Sequence, residues 1–193
     1  MTPSTRRALT WAVPLLALLA FLAFLLQGAD RPANPSFRVA TADTTDTTAM
    51  VRTRVPGFGE VTFRIDTTGV LFGSGSLSAA RCALLAATAQ QQAQGLMGRT
   101  DLSGYDGMLF RFERDVQAGF YMKDTLIPLS IAWFDADGRF VSATDMPPCG
   151  DQPTCPTFNA EAAYRYALEV PQGGLSRLDI GPGTRLVVGD ESC

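Results

Sequence analysis

The chain contains no histidine. That removes the side chain most used as a general base and the commonest metal ligand. Serine–histidine and cysteine–histidine hydrolysis are excluded, as are zinc sites built on imidazole. Lysine is almost as scarce: Lys123 is the single one, against fifteen arginines. No basic cluster exists beyond Arg6-Arg7, and the formal net charge is −3. Nucleic-acid binding normally leaves a basic patch, so no nucleic-acid partner is expected. Cysteine is limited to four residues, none in the Cys-x-x-Cys spacing of redox pairs. Neither a cofactor motif nor a metal-ligand set stands out. Any catalysis would fall to carboxylates, Lys123, a tyrosine or a cysteine.

What the chain does have is a long apolar start. Ala8 to Ala29 carries no charged residue, and Arg6 and Arg7 precede it. A bilayer core needs about 20 apolar helical residues. Residues 1–29 are therefore expected to form a membrane anchor, with the arginines on the cytoplasmic side. Everything after them would lie outside the cytoplasm, as a single-pass protein of the cell membrane. The alternative is a cleaved signal sequence and a secreted product. Residues 30–50 are rich in threonine, aspartate and alanine with no apolar period, and read as a flexible linker. Residues 51–193 remain for an extracytoplasmic domain, and 46% apolar composition is ample for its core.

That domain reads as short strands. Val61–Ile65 alternates with period two, and so does Met108–Phe112, with Met108, Phe110 and Phe112 on one face. In Phe120–Lys123 the pattern turns Phe120 and Met122 inward and leaves Tyr121 and Lys123 on the other face. Ser130–Phe134 runs through Asp135-Ala136-Asp137-Gly138 into Arg139–Val141, a hairpin signature. Asp135 and Asp137 could suggest a calcium loop, but its later ligands are absent. Tyr164–Val170 alternates with Arg165 and Glu169 opposite Tyr164, Tyr166 and Leu168, and a last strand falls at Thr184–Val188. Thr88-Ala89-Gln90-Gln91 matches a capping box for a helix ending at Gly95. A second short helix is expected near Gln172 to Leu178. The class is mainly β, a compact sandwich or barrel with one or two short helices.

Cys149 and Cys155 close a loop stiffened by prolines, and an exported domain allows disulfides. A structural bridge there is expected to contribute roughly 2 kcal/mol. Cys82 falls in a strand and Cys193 is the last residue. They can bridge the two ends of the domain; otherwise Cys193 is an exposed thiol.

Several segments together resemble the uncharacterised family called domain of unknown function 192. They are Gln94-Gly95-Leu96-Met97-Gly98-Arg99, Asp106 to Phe112, Phe120 to Asp137, Met146-Pro147-Pro148-Cys149, Cys155-Pro156 and Tyr166 to Val170. The likeness covers about residues 80 to 188. It departs at Asp124, where family members usually carry asparagine, and at Ser130, where aspartate is common. The resemblance implies a jelly-roll-like β domain, often exported behind a signal or anchor, and implies no activity.

Lys123, Asp124, Arg99, Asp145 and Glu169 are the polar residues of the shared motifs. Gathered in a cleft, they would bind an anionic or sugar-like ligand; spread out, they would pair to lock loops to the sheet. A lone lysine among arginines hints at a place that needs an ammonium. Gly95 and Gly98 read as backbone turns around Met97. Tyr164, Tyr166 and Trp133 read as core, or as a platform for a sugar. The leading expectation is a membrane-anchored, non-catalytic binding or envelope-scaffold module with an envelope or carbohydrate ligand. One alternative is an enzyme on carbohydrate or cell-wall material using carboxylates and Lys123. Another is a copper carrier using Met97, Met108, Met122 and Met146.

Overall fold

A computed structural model describes residues 52–69, 75–150, 153–189 and 193. The expected anchor at 1–29 and linker at 30–50 lie outside the described residues. Among the described residues no helix is long and apolar enough to cross a membrane.

The elements in chain order are β1 (Gly59–Asp66), β2 (Arg81–Ala86), α1 (Ala89–Gln94), β3 (Gly107–Val116), β4 (Phe120–Tyr121) and β5 (Leu129–Phe134). They continue with β6 (Phe140–Met146), β7 (Thr157–Phe158), β8 (Tyr164–Pro171), α2 (Gly174–Arg177) and β9 (Arg185–Val188). Seven strands form one sheet in the order β6-β5-β8-β3-β2-β1-β9, and β4 pairs with β7 in a separate ribbon. The domain is thus mainly β with two short helices, as the alternation predicts. It is not a sandwich of two comparable sheets. The β2–β3 pair is parallel while the other pairs of the sheet are antiparallel. That pair departs from the antiparallel jelly-roll type. A parallel pair needs a crossover, and α1 lies in it.

The sheet curls until its two edge strands nearly meet. Arg139 bridges Arg185, the Leu186 N–H donates to the Gly138 carbonyl at 2.7 Å, and the Phe140 N–H donates to the Thr184 carbonyl at 3.0 Å. Gly138 is required at this seam. Its φ is +78°, and a Cβ there would run into the Leu186 carbonyl. The Asp135 carboxylate holds the hairpin turn by accepting from the Asp137 and Arg139 N–H groups at 2.9 and 2.8 Å. This is the turn role expected of Asp135.

Curling gives the sheet a concave and a convex face, and both are covered. Val61, Phe63, Leu109, Phe134, Leu168 and Leu186 pack together on one face. Leu84, Met108, Phe110, Ile131, Trp133 and Met146 pack on the other. Central strands therefore lose their clean alternation, and β5 is buried at every position. The register between β3 and β8 shifts between Arg111 and Val116. Tyr164 consequently joins the cluster of Met108 and Ile131 instead of facing away from Glu169, contrary to the simple period-two reading.

α1 forms where the capping box places it. The Gln91 N–H donates to Thr88 Oγ1 at 3.3 Å and the Thr88 N–H to Gln91 Oε1 at 3.0 Å. No residue of α1 is buried. Side-chain amides hold it instead: Gln91 Nε2 donates to the Gly57 carbonyl at 2.7 Å and Gln92 Nε2 to the Arg111 carbonyl at 2.9 Å. The cysteines pair at disulfide distance, with Cα–Cα separations of 5.9 Å for Cys82–Cys193 and 5.5 Å for Cys149–Cys155.

Candidate functional site

β8 is sandwiched between β3 and β5, with Glu169 opposite Met108 on one side and Ile131 on the other. Both neighbours belong to the cluster of Leu84, Phe110 and Trp133, so Glu169 sits on that apolar face. Glu169 is only 5% exposed. Burial alone pushes its pKa up to about 8, and no described residue offsets this by a hydrogen bond or a charge. At neutral pH the group is a carboxylic acid, able to donate as well as accept.

The acid lines a cavity of about 240 Å³. Leu96 and Met97, just after α1, form one wall; Phe110 and Phe112 of β3 and Phe120 of β4 form the other. Phe110 and Phe120 meet edge to face with ring centroids 5.0 Å apart, which fixes their orientation. Trp133 lies behind Phe120, at 6.2 Å between centroids, and its indole N–H has no hydrogen-bond partner among the described residues. The Tyr164 hydroxyl donates to the Ala118 carbonyl at 2.6 Å, tying down the loop before β4. Its burial raises its pKa to about 12, so it stays a donor.

A second cavity of about 530 Å³ lies beyond the same turn, lined by Val55, Phe58, Gln91 and Arg99 among others. Gly95 and Met97 line both cavities. The turn they form needs positive φ, +47° at Gly95 and +72° at Gly98, in keeping with the reading of these glycines.

The five polar residues of the motifs are not gathered in one cleft. Lys123 is exposed, lines neither cavity and makes no ion pair with a described carboxylate. Asp124 sits at φ +54°, and its carbonyl accepts from the Gly98 N–H at 2.8 Å. Arg99 donates to Ser103 Oγ at 2.6 Å and to the Asp101 carbonyl at 3.2 Å, locking its own loop. Asp145 is an exposed carboxylate that accepts from Ser130 Oγ at 2.5 Å and Gln172 Nε2 at 3.1 Å, bonds that hold its pKa down. Only Glu169 enters the aromatic cavity. The remaining lining residues were legible as strand faces and turns, but their convergence was not.

Met108, Met122 and Met146 are buried in the same core cluster as Trp133, and Met97 is the one of the four that lines the two cavities described. Among the described residues no cluster of cysteine and carboxylate side chains is suited to hold a metal. Tyr164 and Trp133 are core residues.

Two solved structures share the fold. One is a protein from Sinorhizobium meliloti 1021 described as a "putative transcription regulator", 26% identical, covering 70% of this chain and 98% of its own, at a TM-score of 0.59. The other is a protein of unknown function from Novosphingobium aromaticivorans DSM 12444, 27% identical, covering 74% of this chain and 98% of its own, at a TM-score of 0.57. No curated protein matches the chain. The family model for DUF192, described as an uncharacterized ACR, matches residues 73–188. With that match over more than half its length, and with the motifs around Gly95, Phe120 and Glu169 inside it, the chain belongs to the domain of unknown function 192 family.

Proposed function

We propose that this protein is a non-catalytic binding module, held outside the cell membrane by residues 1–29, that takes a small organic ligand into the Glu169 cavity. One observation carries the reading. The Glu169 carboxyl, on a residue only 5% exposed and with no partner among the described residues, lines a cavity that Phe110, Phe112 and Phe120 also line. With no described protein partner, and with oxygens that are not sealed from the cavity, this carboxyl is open to a ligand that would complete its bonding. The apolar run of residues 8–29 and the two cysteine pairs at disulfide distance support an exported location.

An enzyme with two carboxylates would need a second acid near the first. No described carboxylate other than Glu169 lines the cavity, and Lys123 stands outside it. Copper carriage draws no support from three core methionines. A role in transcription, named in the description of the Sinorhizobium protein, draws none from a chain of net charge −3.

The test is a ligand-observed NMR fragment screen on the full chain in nanodiscs, repeated with Ala93→Phe. Ala93 is an exposed residue of α1 that lines the cavity. Fragments that bind the wild type are expected to lose at least tenfold in affinity in the variant, with thermal stability unchanged. Binding that ignores the substitution would move the site elsewhere.

A further inference from the structure

We infer that the ligand of the Glu169 cavity is a small organic ammonium cation, because one carboxyl shares the cavity with three aromatic rings and no described basic side chain lines it. The inference rests on the small-ligand reading above and gives that ligand its charge.

The charge inventory is one-sided. Among the described residues Glu169 is the single carboxyl of the lining, and no described lysine or arginine lines the cavity. An anionic ligand would meet an acid and no counter-charge. A sugar would ask for many polar partners, but Gln92 is committed to the Arg111 carbonyl and Thr125 to the Lys123 carbonyl, which leaves Gln94 and Tyr121 beside the acid. An ammonium supplies the partner that the protein withholds. Aromatic rings within about 6 Å of a cation attract it through their quadrupole, more strongly where water is excluded. Phe110, Phe112 and Phe120 bring such rings to the same cavity as the carboxyl. The cavity, at about 240 Å³, suits a cation smaller than a drug-sized ligand.

Pairing with a cation requires the carboxylate. The free acid must therefore release its proton to solvent when the ammonium enters, and binding strengthens as pH rises. The groups facing Glu169 are few. β3 presents Met108, β5 presents Ile131, and the α1 side presents Gln94 and Leu96. The β4 segment adds Tyr121, whose phenol is the other titratable group of the lining, and the turn after it adds Thr125.

Choline and its uncharged carbon analogue 3,3-dimethylbutan-1-ol separate charge from shape. Choline also keeps its charge at every pH. Both would be titrated by calorimetry into the full chain in nanodiscs at pH 6.5, 7.5 and 8.5, with empty nanodiscs as the blank. Choline is expected to bind at least tenfold tighter than the alcohol at pH 8.5. Its affinity should fall roughly tenfold or more on going to pH 6.5, with proton release seen as a buffer-dependent heat. Glu169→Gln should abolish both the preference and the pH dependence; the wild-type pH series keeps the test valid if that variant fails to fold. Equal binding of the two probes, or a flat choline affinity, overturns the cation inference and leaves the small-ligand reading standing. Fragments that bind the cavity while choline does not have the same consequence. Failure of choline, the alcohol and the fragment screen alike overturns both.

Discussion

A carboxyl placed between Met108 and Ile131 is largely shielded from solvent, so folding favours its protonated form. The consequence for stability has a definite sign. Between the ordinary glutamate pKa and about 8, the folded chain holds a proton that the unfolded chain has released. Stability contributed by the neutral acid is thus full in acid and lost as pH rises through about 8. Glu169→Gln removes this dependence. The variant's unfolding free energy from urea titration is expected to gain on that of the wild type from pH 5 to pH 8, at up to roughly 1.4 kcal/mol per pH unit. An unchanging margin across that range would mean that Glu169 has a hidden partner. Asp124 belongs to the same scale. Its φ is +54°, a left-handed conformation that short polar side chains such as aspartate and asparagine tolerate best among residues other than glycine. The Asp124 carbonyl accepts from the Gly98 N–H, so its backbone takes part in the turn after α1.

At the scale of elements, α1 forms a wall of the aromatic cavity without burying a residue of its own. Its attachment is the capping box and two amide side chains. An N-cap threonine contributes about 1 kcal/mol. Thr88→Ala should therefore lower global stability by about that amount and raise amide exchange across Ala89–Gly95 more than in β3 or β8. Uniform exchange rates in all three would show α1 to be part of the cooperative core. The capping box could be read from four residues, because its bonds are local. Most of β6 was not legible: its exposure follows no period two, with Ala143, Thr144 and Asp145 all exposed in succession. The ribbon of β4 and β7 joins segments too short to show a period at all.

For the whole molecule, the cysteine pairs differ in the loops they close. Cys82–Cys193 spans 111 residues and Cys149–Cys155 spans 6. The chain-entropy model assigns about 4–5 kcal/mol to the first and about 2 to the second. Cys82→Ser with Cys193→Ser is expected to lower the denaturant midpoint about twice as far as Cys149→Ser with Cys155→Ser; the reverse order would show that the long loop is already restrained without the bridge. The amino-acid sequence determined what depends on neighbours in the chain: strand faces, the Asp135–Gly138 turn, the α1 cap, the cysteine inventory and the motifs of the family. The tertiary structure alone decided the parallel β2–β3 pair, the burial of both sheet faces and the closing seam between Gly138 and Leu186. It also selected Glu169 from five polar candidates and left Lys123 in solvent. The physical reason is that burial and cavities are made by residues far apart in sequence. Desolvation, which sets the protonation of Glu169, exists only once those residues have met.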